Sequence, residues 1–562
     1  MPNITALQEK IRIFSLGGLD EDGKNMYCVE IGQQIYIIEA GIKFPDEKES
    51  LGIEYIVPDF SYLIENKNRI AGIIITHAHD DVMGALPYLV KQIKTTIYCT
   101  AVTAKHIRRL FAKENIKDYQ IHEVKRHDQK RIGKHKVIFF PITHSVPEAF
   151  GVAISTSQGF IVYSGEFIED YSALDDAYRG DFTTPAQFRN EGVLVLMQDS
   201  KGADCSGHTA PNHRIAPHFA KVLEKYENKR IFVSVYTQSV FRIQELIDTC
   251  ISFNRKILLY TEELRQLIDD LKDIGYEIPA NILIDHTKIR EEDLSNAVIL
   301  IGGTGKSLMS LLSNICNNEV SDIDFTSNDV IVLATPVLPG VEREFKQMEN
   351  DIYKEGGEVI MLDSRTRSVH PSQEDLKMMI FATRPKYYIP VKGEYRKLIM
   401  NANVALEMEM SPSQIIILDN GQVATFENKK LKSCALELEL HDNLIDGKEG
   451  WDMAGVVLKD REILSTDGVM ILAIGIDSKT KKIINGPDVQ TRGLVYLKDA
   501  EYLNSDVSKI MEQTIQDAVK NHTYNNLDTR NEIRDKVARY LSNKIGKKPM
   551  ILSVILEINT QQ

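Results

Sequence analysis

The feature that most constrains this chain is a series of short apolar runs, rich in β-branched residues, that each end in a polar or glycine-containing turn. Seven of them fall between residues 10 and 200: IRIF, IYIIEAG, AGIIIT, TTIYCT, KVIFFPIT, FIVYSGE and GVLVLMQDS. Runs of this length predict buried strands, with helices between them. Ligands in α/β folds bind at the carboxyl ends of strands, so the polar residues after these runs are the first candidates for a site.

The rest of the chain predicts further α/β segments. Strand and helix alternate from about residue 211 to 355, and a strand, loop and helix pattern returns from 356 to 425. An acidic connector covers 426–450. Residues 451–562 predict strands VMILAIGID, GLVYL and MILSVILEI with helices around Val507–Lys520 and Asn531–Ile545. A chain of 562 residues is long enough for three or four domains, each with its own core.

Composition narrows the class of protein. Lys and Arg number 67 against 80 Asp and Glu, which gives a net charge of −13, and 43% of the residues are hydrophobic. These values predict a globular protein and argue against a histone-like nucleic-acid binder. Residues 91–136 nevertheless hold 13 basic and 4 acidic residues, which is consistent with either a phosphate-facing surface or a solvated helical face.

Several absences favour a cytoplasmic location. The six cysteines form no CxxC pair, so we expect reduced thiols. The N-terminus lacks the basic and apolar regions of a secretion signal. The apolar runs are far shorter than the roughly 20 residues of a membrane helix, so we expect no membrane association.

The strongest chemical motif is Thr76-His77-Ala78-His79-Asp80-Asp81, which follows an apolar run directly. Two imidazoles and a carboxylate at a strand end can converge on one ion, because the turn releases the chain from strict alternation of faces. His144 and Glu166 also follow strand-like runs. Three histidines and a carboxylate are sufficient for a zinc or manganese site, so His77, His79, Asp81, His144 and Glu166 are the candidate metal ligands.

The stretches GGLDEDGKNMY, IIITHAHDD, THSVPEAFGVAISTSQGFIVYSGEF, ATPVLPGVE, PSQEDLKMMI, RPKYYIPVKGEYRKL and GPDVQTRGLVYL occur in an order that resembles a known family. The chain resembles the metallo-β-lactamase superfamily, and within it the β-CASP ribonucleases of the ribonuclease J family. The resemblance implies an α/β fold, an αββα sandwich of residues 1–210 and 356–425 with a β-CASP domain inserted at 211–355. It also implies a linker at 426–450 and a small C-terminal α/β dimerisation domain at 451–562.

The family resemblance also implies cleavage of single-stranded RNA, including processive removal of nucleotides from a 5′-monophosphate end and possible endonucleolytic cuts, in RNA processing and mRNA decay. It assigns phosphate contact to Arg242 and to the loop of Thr366, Arg367, Ser368, Val369 and His370, in which only Ser368 and His370 match the family pattern. Lys392 is a further candidate for substrate contact. Asp81 and His370 are the candidate catalytic residues.

Two departures from the family pattern affect the second metal. Val82 and Lys392 each stand where the family has a histidine ligand, and Glu166 replaces a bridging aspartate. We therefore expect one zinc or manganese ion at most instead of two, held by His77, His79, His144 and Glu166. The Lys392 ammonium is expected to fill the vacated position and pair with Asp81 and Glu166, the alternative being a lysine turned to solvent.

The degenerate motifs most resemble the second ribonuclease J paralogue of low-GC Gram-positive bacteria. The leading hypothesis is a subunit with weak or absent activity that forms a homodimer or joins an active paralogue and helps to hold RNA. The alternatives are a one-metal nuclease active on its own and a non-catalytic RNA-binding scaffold. Hydrolysis of a small substrate is disfavoured because the inserted domain suits a polymer. A C-terminal region that only caps its own chain is the alternative to assembly.

Overall fold

The computed structural model describes residues 9–45, 52–173, 175–272, 275–290, 293–335, 337, 342–362, 366, 368–446, 455–494 and 497–559. The chain forms two compact units, one of residues 1–47 and 54–443 and the other of residues 48–53 and 444–562. Among the helices of the described residues, none has the length and apolar character that a membrane span requires.

The elements of the first unit alternate as the sequence predicts. Its strands are β1 (Ile11–Gly17), β2 (Met26–Ile31), β3 (Gln34–Ile38), β4 (Tyr55–Val57), β5 (Ile70–Ile74), β6 (Thr96–Cys99), β7 (Gln120–Glu123), β8 (Gln129–Ile132), β9 (His135–Pro141), β10 (Phe150–Thr156), β11 (Gly159–Tyr163), β12 (Val193–Asp199), β13 (Ile231–Tyr236), β14 (Ile257–Leu259), β15 (Val298–Gly303), β16 (Val330–Leu333), β17 (Glu358–Met361), β18 (Tyr387–Val391), β19 (Gln422–Glu427) and β20 (Lys430–Leu436). Its helices are α1 (Ser61–Glu65), α2 (Asp80–Met83), α3 (Leu86–Val90), α4 (Ala101–Lys113), α5 (Thr183–Glu191), α6 (Ala216–Lys225), α7 (Val240–Ser252), α8 (Glu262–Leu271), α9 (Gly305–Cys316), α10 (Glu342–Lys354), α11 (Gln373–Thr383) and α12 (Tyr395–Glu407).

Two large sheets of the first unit face each other. One has the strand order β20-β19-β1-β2-β3-β5-β6-β7 and the other β18-β12-β11-β10-β9-β8. Alternate side chains of each strand point to opposite faces, so Val137 and Phe139 join the core between the sheets while Ile138 and Phe140 join the core on the outer face. Helices α5, α11 and α12 pack on the second sheet and α4 on the first. This is the expected αββα sandwich.

The inserted region has its own parallel sheet, with the strand order β14-β15-β13-β16-β17. Its last strand, β17, pairs with β16, so the sheet extends past the boundary expected at residue 355. The chain rejoins the second large sheet at β18. Strand β20, which falls in the range expected as linker, extends the first large sheet because it pairs with β19 in a hairpin.

The second unit is small, and β21 (Asn443–Ile445) lies at its boundary. It contains α13 (Gly455–Thr466), β22 (Val469–Asp477), β23 (Ile483–Arg492), α14 (Leu497–Lys520), α15 (Asn526–Ile545) and β24 (Met550–Ile558), with the strand order β23-β22-β24. Of the strand expected at GLVYL, Gly493 and Leu494 lie after the end of β23 and outside any strand, Leu497 begins α14, and residues 495 and 496 lie outside the described residues. Apolar content did not reveal β23, because this mostly polar edge strand is held by main-chain bonds to β22.

Candidate metal centre

The candidate ligands follow strands whose carboxyl ends meet at one edge of the sandwich. Strands β11, β12 and β18 are parallel neighbours, and Glu166, Asp199 and Lys392 lie at or just beyond their ends. His77 follows β5 and His144 follows β9. Side chains that are distant in sequence therefore reach one buried place, which is the usual position of a ligand site in an α/β fold.

Four of the predicted metal ligands, His77, His79, His144 and Glu166, form what we call the imidazole cluster. One donor atom of each lies within 4.8 Å of the others. His77 Nε2 is 3.5 Å from Glu166 Oε1, and His144 Nε2 is 3.4 Å from Glu166 Oε2. The cluster combines three nitrogen donors with one carboxylate, a donor set that suits zinc or manganese.

Burial keeps these imidazoles neutral. It lowers the pKa of His77 and of His144 well below the ordinary value and lowers the pKa of His79 to about 4. Both ring nitrogens of His144 are buried and make no hydrogen bond. Metals bind neutral imidazole, and a divalent ion would satisfy a nitrogen that otherwise has no partner. The residues present therefore fit one metal ion.

A hydrogen-bonded chain behind the cluster orients His77. Thr76 Oγ1 lies 2.9 Å from His77 Nδ1 and donates to Glu39 Oε1 at 2.5 Å. Burial raises the pKa of Glu39 to about 8, although hydrogen bonds from Thr76 act in the opposite direction. Contacts of this kind fix the orientation of a ligand imidazole.

Close packing holds the start of α2 beside the cluster. A Cβ added at Gly41 would lie 1.7 Å from the carbonyl oxygen of Asp81, so only glycine fits there. Ala40 N donates to Val82 O at 2.7 Å, and the Val82 side chain is buried. The chain that follows the motif forms the two short helices α2 and α3.

On the other side of Glu166 lies an ion-paired group that we call the lysine cluster, formed by Asp81, Glu166 and Lys392. Lys392 Nζ is 2.7 Å from Asp81 Oδ2 and also contacts Glu166 Oε1. Lys392 is 1% exposed. Burial alone would raise the pKa of Asp81, but the Lys392 ammonium holds it well below its usual range. The pairing expected for Lys392 is confirmed, and the alternative of a solvent-facing lysine is wrong.

Comparisons with known proteins agree with this geometry. Family models match as a beta-lactamase superfamily domain at residues 57–180, a ribonuclease J beta-CASP domain at 228–352 and a ribonuclease J C-terminal domain at 456–558. The chain is 31% identical over 563 residues to ribonuclease J 2 of Staphylococcus aureus, covering 99% of this chain and 100% of that protein. The chain belongs to the ribonuclease J family.

Further relatives support the same assignment. Ribonuclease J 2 of Staphylococcus epidermidis is 30% identical over 561 residues, which cover 99% of this chain and 100% of that protein. A crystal structure of a protein of unknown function from Enterococcus faecalis has a TM-score of 0.52 at 14% identity, covers 74% of this chain and 100% of that chain, and shows a likeness of fold. The resemblance and the fold class predicted from the sequence are confirmed.

A cleft of about 200 Å³ in this ribonuclease J chain opens beside the imidazole cluster. Its lining includes most of the predicted phosphate-contact residues: Arg242, Thr366, Ser368, Val369 and His370, together with His79 and His144. Arg242 Nη2 donates to Thr366 Oγ1 at 2.8 Å. Arg367 lies outside the described residues. The buried position of Lys392 does not support the substrate contact expected for it, because two carboxylates surround its ammonium.

Sequence analysis missed Asp199 as a member of the site. His370 Nδ1 lies 2.7 Å from Asp199 Oδ2 and 3.7 Å from Glu166 Oε2. The signal was present, since Asp199 is the carboxylate that ends the apolar run GVLVLMQDS. It was overlooked because no histidine stands near it in sequence. Its contact with His370 depends on the fold.

Within the described residues, the basic segment at residues 91–136 is ion-paired at fewer than half of its 13 basic side chains. Six of its basic side chains lie within 4 Å of a carboxylate, in the pairs Lys91–Glu114, Lys94–Asp118, Lys105–Asp270, Arg108–Glu123, Arg109–Asp270 and Lys130–Asp128. Such mostly exposed pairs are typical of a solvated helical face, but the other seven basic side chains leave the interpretation of a phosphate-facing surface open.

Proposed function

We propose that this ribonuclease J chain is a cytoplasmic subunit for RNA processing and decay whose own nuclease activity is weak or absent. Its substrate would be single-stranded RNA with a 5′-monophosphate, degraded from the 5′ end and also cut internally. The observation that supports impairment is the lysine cluster, because a protein cation stands where the family pattern expects the second metal. Asp81 and Glu166 already pair with the Lys392 ammonium, and a second divalent ion there would have to displace it.

The remaining groups support binding of RNA and part of the chemistry. An ion in the imidazole cluster would supply Lewis-acid stabilisation of a phosphate oxygen or an activated water. Arg242, Ser368 and His370 line the cleft, where they can contact phosphate. Asp199 holds His370 through Nδ1, so Nε2 is the ring nitrogen that can reach a substrate. Asp81 is a poor proton acceptor, since Lys392 keeps its pKa low.

The direct test is degradation of a 5′-monophosphorylated single-stranded RNA by the purified chain with manganese, with His77→Ala as the control. We expect no activity, or only weak activity, above the His77→Ala control. Efficient degradation that His77→Ala abolishes would establish instead the one-metal nuclease. RNA binding without any cleavage would favour the non-catalytic scaffold.

A second test restores the family ligands. The double variant Val82→His/Lys392→His should bind a second manganese ion and should degrade the same RNA at least about tenfold faster than the unaltered chain, because two ions stabilise the charged transition state better than one. Metal content measured beside the rate separates two explanations. A gain of one ion without a gain in rate would place the defect in the RNA-binding cleft or in Glu166.

The second unit supports assembly with another ribonuclease J chain. Alternate side chains of β24 face opposite sides, so Ile551 and Ile555 join the core while Leu552 and Leu556 are 47% and 55% exposed. Ile471 on the neighbouring strand is 41% exposed on this sheet. An apolar sheet face of this kind is typical of an interface. We propose that a second copy or a paralogue covers it.

Light scattering of the full chain tests this assembly. Leu552→Lys/Leu556→Lys should shift the dimer towards the monomer, since two ammonium groups would be buried at the interface. Gln516→Lys, a change at an exposed position of α14, serves as the matched control and should leave the mass unchanged, because α14 packs against the core and not on the face that carries Leu552 and Leu556. A dimer that survives the double substitution would rule out this sheet face as the main interface.

A further inference from the structure

A second group of metal-ligand residues lies apart from the imidazole and lysine clusters. It consists of Glu169, His208 and Asp375, one donor atom of each within 4.8 Å of the others, and we call it the Glu169 cluster. Glu169 belongs to the loop after β11, His208 to the loop after β12, and Asp375 to the first turn of α11. Three separate segments therefore bring one imidazole and two carboxylates together.

Hydrogen bonds hold the Asp375 side chain in place in this group. Its side chain is fully buried, and Oδ2 accepts the backbone N–H groups of Ser372 and Thr209, each at 3.0 Å. Oδ1 lies 2.8 Å from His208 Nδ1. The backbone donors position this carboxylate, which in turn sets the orientation of the imidazole beside it.

Glu169 lacks a partner for one of its oxygens. The residue is 4% exposed, Oε2 accepts the hydroxyl of Tyr171 at 3.0 Å, and Oε1 is buried without a hydrogen bond. Burial raises the pKa of Glu169 to about 7. A buried carboxylate oxygen close to a second carboxylate requires either a proton or a cation to offset its charge.

We propose that Glu169, His208 and Asp375 bind a divalent transition-metal ion, separate from any ion of the imidazole cluster. One nitrogen and two carboxylate oxygens are donors that zinc and manganese accept. The His208 side chain is 46% exposed, so an ion can enter from solvent and water can complete its coordination.

The position of this site gives the ion a structural role near the substrate cleft. Thr209, next to His208, donates through Oγ1 to the carbonyl oxygen of His370 at 2.6 Å. Asp375 begins the helix that follows the His370 loop, and Glu169 lies three residues after Glu166. An ion here would tie together three segments, two of which carry groups of the metal centre.

The test measures zinc binding by the full chain in a His77→Ala/His144→Ala background, which removes the imidazole cluster as a competing site. Titration calorimetry and metal content after gel filtration should show one zinc ion per chain. Adding Glu169→Gln and His208→Gln should weaken that binding at least roughly tenfold, because two ligands are removed. His127→Gln removes an exposed histidine that lies 3.6 Å from Asp181, and it should leave binding unchanged. Absence of the ion, or binding unaffected by the Glu169 and His208 changes, would overturn the proposal.

A second measurement does not depend on that background. Crystals of the unaltered full chain grown with zinc should show an anomalous difference peak between Glu169, His208 and Asp375, and crystals of His208→Gln should lose that peak while they keep the one at the imidazole cluster. A map with density only at the imidazole cluster in the unaltered chain would refute the site.

Discussion

The imidazole cluster and the lysine cluster share Glu166, but they differ in how the charge of this carboxylate is balanced. On one side the three imidazoles of the imidazole cluster are neutral and desolvated, and His144 has no hydrogen-bond partner. On the other side the lysine cluster has two carboxylates that both pair with one buried ammonium. The difference shows that the imidazole cluster has no cation of its own and should gain stability from a bound metal ion, whereas the neighbouring lysine cluster already contains the Lys392 ammonium. Metal should therefore stabilise the first side and compete with Lys392 on the second.

The largest effect on stability is expected from removing the Lys392 ammonium. Lys392→Met would remove the cation that pairs with buried Glu166 and partly buried Asp81, so we expect the free energy of unfolding of the metal-free first unit to fall by about 3 to 5 kcal/mol. Urea unfolding in the presence of a chelator measures it. Lys397→Met, at a more exposed lysine that pairs with Asp204, should cost about 1 kcal/mol or less.

Manganese should rescue part of the loss in Lys392→Met, because the ion can then bind Asp81 and Glu166. If Lys392→Met were as stable as the unaltered chain, the Lys392 ammonium would not stabilise Asp81 and Glu166. The contrast between the lysine cluster and the imidazole cluster would then be wrong.

The next largest effect is the pH dependence that His79 of the imidazole cluster gives to the free energy of unfolding. The folded chain keeps His79 neutral down to a pKa of about 4, whereas its ordinary pKa is 6.5. Between these values the unfolded chain binds more protons, so stability from this group falls as pH decreases from about 6.5 to 4. The full shift corresponds to roughly 3 kcal/mol.

Urea midpoints of the metal-free chain measured from pH 4 to 7, minus those of His79→Gln, isolate this dependence. A difference that stays constant across the range would show that His79 is not desolvated in solution, and it would remove the contrast with the lysine cluster.

The smallest effect on stability is expected from replacing His144, the imidazole that has no hydrogen-bond partner. Because neither ring nitrogen has a hydrogen bond, His144→Leu should stabilise the metal-free chain by about 1 kcal/mol. The same variant should lose the stabilisation that manganese gives to the unaltered chain. Thermal unfolding with and without manganese tests both outcomes. Destabilisation of the metal-free chain by His144→Leu would show that the ring has a partner in solution.

The sequence predicted the imidazole cluster because each of its ligands follows a recognisable strand closely. His77 and His79 are two residues apart at the end of a strand, and the spacing alone suggests that they converge. His144 and Glu166 follow equally clear strands. The pairing of Lys392 was expected only through the family resemblance, since its partners are distant in sequence, 311 positions away for Asp81 and 226 for Glu166.

The sequence by itself determined the strand pattern, the metal-ligand motif and the replacement of two family histidines, because each depends on residue type and short spacing. Only the tertiary structure decided that Asp199 holds His370, that Lys392 pairs with Asp81 and Glu166 and does not face solvent, and that Glu169 meets His208 and Asp375. The physical reason is that side chains from distant segments interact through space, and their distances depend on how strand ends are arranged in the folded sheets. The exposed face of β24 depends on the same arrangement, since alternation predicts two faces but not which one a helix covers.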